Sequence, residues 1–285
     1  MALAVAEHRE AEAAIVAVAR RHGLDPVRPV VLKEAHALVL RLDPWPVVGR
    51  APVSVPPERR SAEWRERERA VVEWLLARGV AVAPPADALP PGPHVEDGHV
   101  VTFWRLLDHD PERPLDEVAA GRALRRIEDA LAHFPGDVGG TWYLDDLDLA
   151  AREGNAPVEA RGLLRRAHDR GSAAIAGARL QPVHGDPSIA NCFRLPDGPL
   201  WSDFEDTCVA PLEWEAACLV APRVVHGPHP DAEAVYAAAF PDYDEALLDE
   251  MIVLRIAVMA AWTILIRGHA PPRLEPWFAW LGENV

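Results

Sequence analysis

Residues 181–206 read QPVHGDPSIANCFRLPDGPLWSDFED, and three polar side chains in it, Asp186, Asn191 and Asp203, stand among runs that otherwise read as strands and a tight turn. With PVH ending one short strand, CFRL forming the next and LWSDF a third, Asp186 and Asn191 fall at the two ends of one tight loop. A turn at Pro196–Gly198 folds the third strand back and carries Asp203 toward Asn191. One carboxylate and one amide oxygen on a hairpin are hard oxygen ligands of the kind Mg2+ takes when substrate phosphates complete its shell. A second carboxylate on the preceding loop can accept a hydroxyl proton and orient an attacking oxygen. Those are the parts that phosphoryl transfer needs. Asp and Asn are also common in turns for local hydrogen bonding, and a lone HGD or DF would carry no more than that.

The ordered set is fuller than either tripeptide. His-Gly-Asp, four residues, Asn, then Asp-Phe-Glu starting twelve positions on, resembles the aminoglycoside phosphotransferase and choline kinase family, which has the protein-kinase-like fold. The resemblance implies that Asp186 receives and orients the acceptor hydroxyl, and that Asn191 and Asp203 hold Mg2+ on the phosphates of ATP or GTP. It implies a structural role for His184, which braces the loop and is not a general base. Glu205, where protein kinases have glycine, is similar to the small-molecule branch. In APLEWEAACL the resemblance puts an acid after the tryptophan to support the catalytic loop, and here that acid is Glu215 in place of aspartate.

These residues need two kinds of element to position them. PVVLKEAHALVLRLDPWPVVGRAPV reads as strands over 30–34, 37–42 and 47–51, an antiparallel meander, and SAEWRERERAVVEWLLARGV as a helix with Ser61 as cap and Gly79 as stop. Asp97-Gly98 marks a hairpin. From Pro114 the pattern turns helical, interrupted by strand signals only around 184–203. The expected architecture is therefore α+β and bilobal: a small antiparallel β-sheet N-lobe with one crossing helix, residues 1–103, and a larger, mainly helical C-lobe, residues 104–285, with a ligand cleft between them.

For the first lobe, the kinase-like resemblance implies a cation on the third strand, a helix carboxylate paired to it, and a hinge after the hairpin. Arg50 stands where the family generally has lysine. Glu68 shares a helix face with Val72 and Leu75, whereas Glu66 and Glu73 fall on other faces. Phe103, Trp104 and Arg105 are the hinge candidates for adenine, with core packing as the alternative for Trp104. His36, in the loop between the first two strands, reads as a surface residue before it reads as a phosphate contact.

The 285 residues are 49% hydrophobic, enough for a sizeable core, and 44 acidic against 29 basic residues give a net charge of -15. That balance disfavours nucleic acid and anionic lipid as partners and favours cationic small molecules, or solubility alone. Three cysteines in no spaced pair suit a reducing cytoplasm, and the apolar run from Met251 is broken by Arg255 and Arg267, so no membrane span is expected. Acids in the helical part, Asp242, Asp244, Glu245, Asp249 and Glu250, together with Glu205, are candidates for pairing with acceptor amines, although acids at a helix start stabilise the helix by themselves. The expected activity is an ATP- or GTP-dependent, Mg2+-requiring small-molecule kinase whose acceptor is an aminoglycoside, another antibiotic linked to resistance, or a metabolite. A catalytically silent, nucleotide-binding regulatory relative is the alternative that Arg50 and Glu215 raise.

Overall fold

Along Ala37–Asp43 every second residue is buried, the signature of a strand with one face on a core, and Leu38, Leu40 and Leu42 supply that face. This strand is the second of a five-stranded antiparallel sheet among the described residues: β1 (Arg28–Glu34), β2 (Ala37–Asp43), β3 (Val47–Pro52), β4 (His94–Glu96) and β5 (His99–Arg105), in the spatial order β1-β2-β3-β5-β4. The computed structural model describes residues 2–285, with side chains from residue 6 onward. A helix, α1 (Ala2–Arg21), lays Ala11, Ala14, Ile15 and Val18 on the core of this sheet. It approaches β3 closely because residue 49 is glycine: a Cβ there would stand 2.4 Å from Ile15 Cγ2. The β4–β5 turn places Asp97 and Gly98 at φ 47° and 80°, the positive pair that a two-residue hairpin of this twist demands.

The helix α2 (Ala62–Ala77) begins where the Ser61 hydroxyl accepts the Trp64 N–H at 3.2 Å and ends before Gly79, whose φ of 72° suits the left-handed stop. Its buried face is Val71, Val72 and Leu75, and Glu68 lies on that face. These elements form one compact unit that runs through His109 and contains all of β5.

The second compact unit, 110–285, is mainly helical. It starts with α3 (Glu117–Leu131), α4 (Trp142–Glu153) and α5 (Val158–Ala176), continues through four short strands, and finishes with α6 (Leu212–Val220), α7 (Pro222–His226), α8 (Pro230–Ala239), α9 (Glu245–Arg267) and α10 (Glu275–Asn284). The strands pair in two small ribbons, β6 (Gln181–Val183) with β9 (Cys208–Ala210) and β7 (Cys192–Leu195) with β8 (Gly198–Trp201). Helix α9 packs on α4, α5 and α6 and buries residues on every side, including Met251, Leu254, Ala257 and Ala261. Among the described residues no helix is long and apolar enough to cross a membrane. The α+β expectation, with an antiparallel sheet first and helices after, is the architecture observed.

Candidate active site

The loop after β6 is built around a glycine that nothing else could replace. Gly185 has φ 90°, and a Cβ on it would lie 1.8 Å from the Asp206 carbonyl oxygen. Its N–H donates to Glu215 Oε1 at 2.7 Å, and its carbonyl accepts from Trp214 Nε1 at 3.1 Å. One residue earlier, the His184 N–H donates to Glu128 Oε1 at 3.3 Å. Two consecutive backbone donors are thus held by carboxyls from α6 and α3, which fixes the direction in which Asp186 leaves the loop. His184 itself is fully buried; its Nε2 reaches the Ser202 carbonyl at 3.1 Å, and Nδ1 stands 3.4 Å from the Asp186 backbone nitrogen. This pattern assigns a neutral ring protonated on Nε2, and burial pushes its pKa down. Both nitrogens are engaged within the loop, which suits a brace.

Asp186 Oδ1 accepts from Arg255 Nη2 at 2.5 Å, and Asp186 Oδ2 lies 3.4 Å from Asn191 Nδ2. The same Asn191 amide nitrogen donates to the Asp186 carbonyl at 2.9 Å, which orients its Oδ1 as the remaining acceptor. The β7–β8 hairpin then returns the chain to this point: Cys192 pairs with Trp201, and the Ser202 N–H and hydroxyl both donate to the Asn191 carbonyl at 2.9 Å. Asp203 follows directly, in the left-handed region at φ 68°, and opens a short 3-10 turn over Phe204–Asp206. A non-glycine residue held there is a strained backbone of the sort found at functional loops. Asp186, Asn191 and Asp203 therefore come together on one loop and one hairpin. A hard divalent cation fits the donors available, a carboxylate at 203 and an amide oxygen at 191, with neither thiolate nor imidazole between them.

Glu128 and Glu215 are both fully buried, and apart from each other their Oε2 atoms have no hydrogen-bond partner among the described residues. Burial and the charge of Glu215 push Glu128 well above the usual carboxylate range. Burial pushes Glu215 up to about 8 against the downward pull of the Gly185 N–H. Two carboxylates cannot both stay charged in such a place, so at neutral pH the pair keeps at least one proton.

In the first unit the β3 cation and the α2 carboxylate meet. Arg50 Nη1 donates to Glu68 Oε1 at 2.9 Å, and the side chain of Glu68 is 1% exposed. Its other oxygen, Oε2, accepts from Arg65 Nη1 at 3.2 Å, and Arg65, also buried, donates to the Arg59 carbonyl at 3.0 Å. One buried carboxylate thus serves two guanidiniums. Glu66 and Glu73 are exposed.

The hinge candidates differ among themselves. Phe103 is a fully buried core residue, and both its backbone groups are used inside the unit, its N–H by the Pro91 carbonyl at 2.8 Å and its carbonyl by the Ala86 N–H at 3.0 Å. The Arg105 N–H is engaged in the same way, by the Pro84 carbonyl at 3.1 Å. Trp104 is half-buried with Nε1 on Thr102 Oγ1 at 3.1 Å, and Arg105 is exposed and paired with Asp87 at 2.9 Å. His36 is exposed in the β1–β2 loop.

The acceptor-binding candidates also divide. Asp244 caps α9, its Oδ1 accepting the N–H groups of Ala246 and Leu247 at 2.9 and 3.1 Å, and Glu250 pairs with Arg170. Both carboxylates have structural work. Asp242, Glu245 and Asp249 are exposed, and Glu205 is half-buried two residues beyond Asp203. Sequence reasoning misses Glu128, Arg65 and Arg255. Glu128 follows Leu124 by four residues and precedes Leu131 by three, so spacing can put it on the buried face of its helix. Arg255 interrupts an apolar run, a signal that by itself reads only as a break.

No protein-family model matches the chain, and no curated protein does so. Solved structures do. A choline/ethanolamine kinase family protein from Mesorhizobium loti aligns over 97% of this chain and 94% of its own, with 18% identity and a TM-score of 0.67. Amicoumacin kinase hAmiN, solved with AMP-PNP, Ca2+ and its antibiotic, covers 100% and 94% of the two chains at 13% identity and a TM-score of 0.74. The aminoglycoside phosphotransferase APH(3'')-Id from Streptomyces rimosus covers 88% and 98% at 19% identity, with a TM-score of 0.58. The chain has the protein-kinase-like fold of these proteins. The Arg50–Glu68 pair lies in the unit that runs through His109, and the Asp186 loop in the unit that starts at Asp110.

Proposed function

We propose that the protein is a small-molecule kinase that moves the terminal phosphoryl group of ATP or GTP to a hydroxyl of an amine-bearing acceptor. The observation that carries this reading is the convergence of Asp186, Asn191 and Asp203 around one hairpin, with Asp186 Oδ2 turned to the same side as the Asn191 amide. Asn191 and Asp203 are assigned to Mg2+, which when bound neutralises phosphate charge and fixes the phosphates in place. Asp186 orients the acceptor hydroxyl and takes its proton, an acid–base contribution of about 10²–10⁴-fold. Arg50, kept on β3 by Glu68, is assigned to the nucleotide phosphates, and its forked donors suit them. Trp104 and Arg105 remain the hinge residues of this reading.

The amine preference draws on the net charge of -15 and on structural neighbours whose names specify choline, ethanolamine and aminoglycosides. With Asp244 and Glu250 committed elsewhere, Glu205, Asp242, Glu245 and Asp249 are the acids assigned to the acceptor. Antibiotic modification and metabolite phosphorylation both fall within this class. Three buried free cysteines suit the reducing cytoplasm. The test is a panel of aminoglycosides, other antibiotics and hydroxylated amines, scored for acceptor-stimulated ADP or GDP release with and without Mg2+. Stimulation by at least one member supports the reading; Mg2+-dependent nucleotide binding with no stimulation across the panel goes against it.

A further inference from the structure

Arg255 is a cation in the middle of α9, where nearly every neighbour is apolar: Met251, Leu254, Ile256, Val258 and Ala260 are all buried. A guanidinium in such a place is costly unless it is paired with good geometry. Its Nη2 meets Asp186 Oδ1 at 2.5 Å, its guanidinium carbon lies 5.5 Å from the Trp214 ring, and its side chain is 12% exposed. Trp214 in turn holds the Gly185 carbonyl, so α9, α6 and the loop close on one another at this pair. Helix α9 thus delivers its one mid-helix charge to the one carboxylate of the loop to which phosphoryl-transfer chemistry is assigned.

We propose that Arg255 is a positioning residue for the transfer reaction. By occupying Oδ1 it sets the rotation of the Asp186 carboxylate and leaves Oδ2, which Asn191 Nδ2 approaches at 3.4 Å, to receive the acceptor hydroxyl. The inference rests on the reading of Asp186 under Proposed function and adds a residue to it. In the step concerned, the acceptor oxygen forms a bond to the γ-phosphorus while the bond from that phosphorus to the bridging oxygen breaks. The nucleoside diphosphate leaves with the electron pair, and the hydroxyl proton passes to Asp186 Oδ2. Without Arg255 the carboxylate is free to rotate between Asn191 and the loop, and productive hydroxyl geometry is visited less often. The charge of Arg255 also keeps the carboxylate in place without competing for Oδ2, because its contact to Asp186 is to the other oxygen.

The experiment is a double-mutant cycle in the full-length chain, with MgATP as the nucleotide and water as the acceptor, read as ADP release. Arg255→Met is expected to slow release at least tenfold while MgATP affinity changes less than twofold. Arg255→Lys, which keeps the charge, is expected to restore part of the loss. In an Asp186→Asn background, Arg255→Met should change release less than twofold, because the residue it acts through is already lost. Effects of Arg255→Met and Asp186→Asn that multiply independently, or an Arg255→Met rate equal to wild type, overturn the inference. Should the methionine variant not fold, Arg255→Lys and Arg255→Gln carry the same cycle. An Asp186→Asn protein as fast as wild type takes down the assignment of Asp186 itself, whatever the Arg255 variants do.

Discussion

Replacing Glu128 by glutamine removes a proton that the folded chain holds and the unfolded chain does not. A free glutamate releases its proton near 4.5, whereas in the fold burial raises Glu128 well above this and Glu215 to about 8. Between those values the folded protein binds the extra proton, so the stability it confers is fully present below 4.5, drains as pH rises, and is gone above the folded-state value. One proton corresponds to about 1.4 kcal/mol per pH unit over the range in which the folded and unfolded chains differ in protonation. The groups that face the pair are Asp129, Asp186, Arg255, Cys208, Cys218 and the His184 loop. Of these His184 works in the opposite sense. Its folded value is lowered from 6.5 by burial, so below 6.5 the unfolded chain takes up a proton that the folded ring refuses. In the wild type the histidine slope therefore offsets part of the carboxyl slope below 6.5, and the carboxyl slope stands alone above it. The replacement glutamine side chain is neutral at every pH, with an oxygen to accept the His184 N–H and an amide N–H to offer Glu215. The difference between the two proteins thus isolates the shared proton. Urea unfolding of both, from about pH 5 to about 8.5, should show the wild type losing about 1.4 kcal/mol per pH unit relative to the variant. A difference that stays flat to within about 0.3 kcal/mol per unit refutes the shared proton.

Glu68→Gln strips the countercharge from two arginines, Arg50 and Arg65, and should cost about 3–5 kcal/mol, read as a lowered urea midpoint, with weakened nucleotide binding at temperatures where the variant stays folded. Gly185→Ala must both adopt a left-handed backbone and displace the Asp206 carbonyl, so a loss on the order of 3 kcal/mol is expected in the same assay. Asp203→Ala should abolish the increase in thermal midpoint that Mg2+ adds to that of nucleotide, while leaving the midpoint of the ligand-free protein within a few degrees.

Much of this site is legible in the sequence because short-range rules govern it. The Asp97-Gly98 turn, the Ser61 cap and the hairpin at 196–198 are set by local backbone preference, and the structure has each of them. The convergence of Asn191 with Asp203 follows from that hairpin. Glu68 is separable from Glu66 and Glu73 by helical spacing, since only one face of α2 is buried. What stays hidden depends on contacts far apart in sequence. Glu128 and Glu215 lie on different helices yet grip adjacent N–H groups of one loop, and Arg255 reaches Asp186 across 69 positions. The surroundings of Phe103 are hidden for a related reason. Its strand looks ready to present backbone groups to a ligand, but the 84–91 segment, which has no strong strand pattern, folds back and uses them.

In the proposed mechanism Asp186 brings an acceptor hydroxyl to the terminal phosphoryl group held with Asn191 and Asp203. The most direct measurement is transfer of label from γ-labelled ATP or GTP to the acceptor found in the panel, by the wild type and by Asp186→Ala side by side. The expected result is labelled product that requires Mg2+, and a fall of about 10²–10⁴-fold in the variant with its nucleotide affinity retained. Equal rates of labelled product from the two proteins would contradict the mechanism.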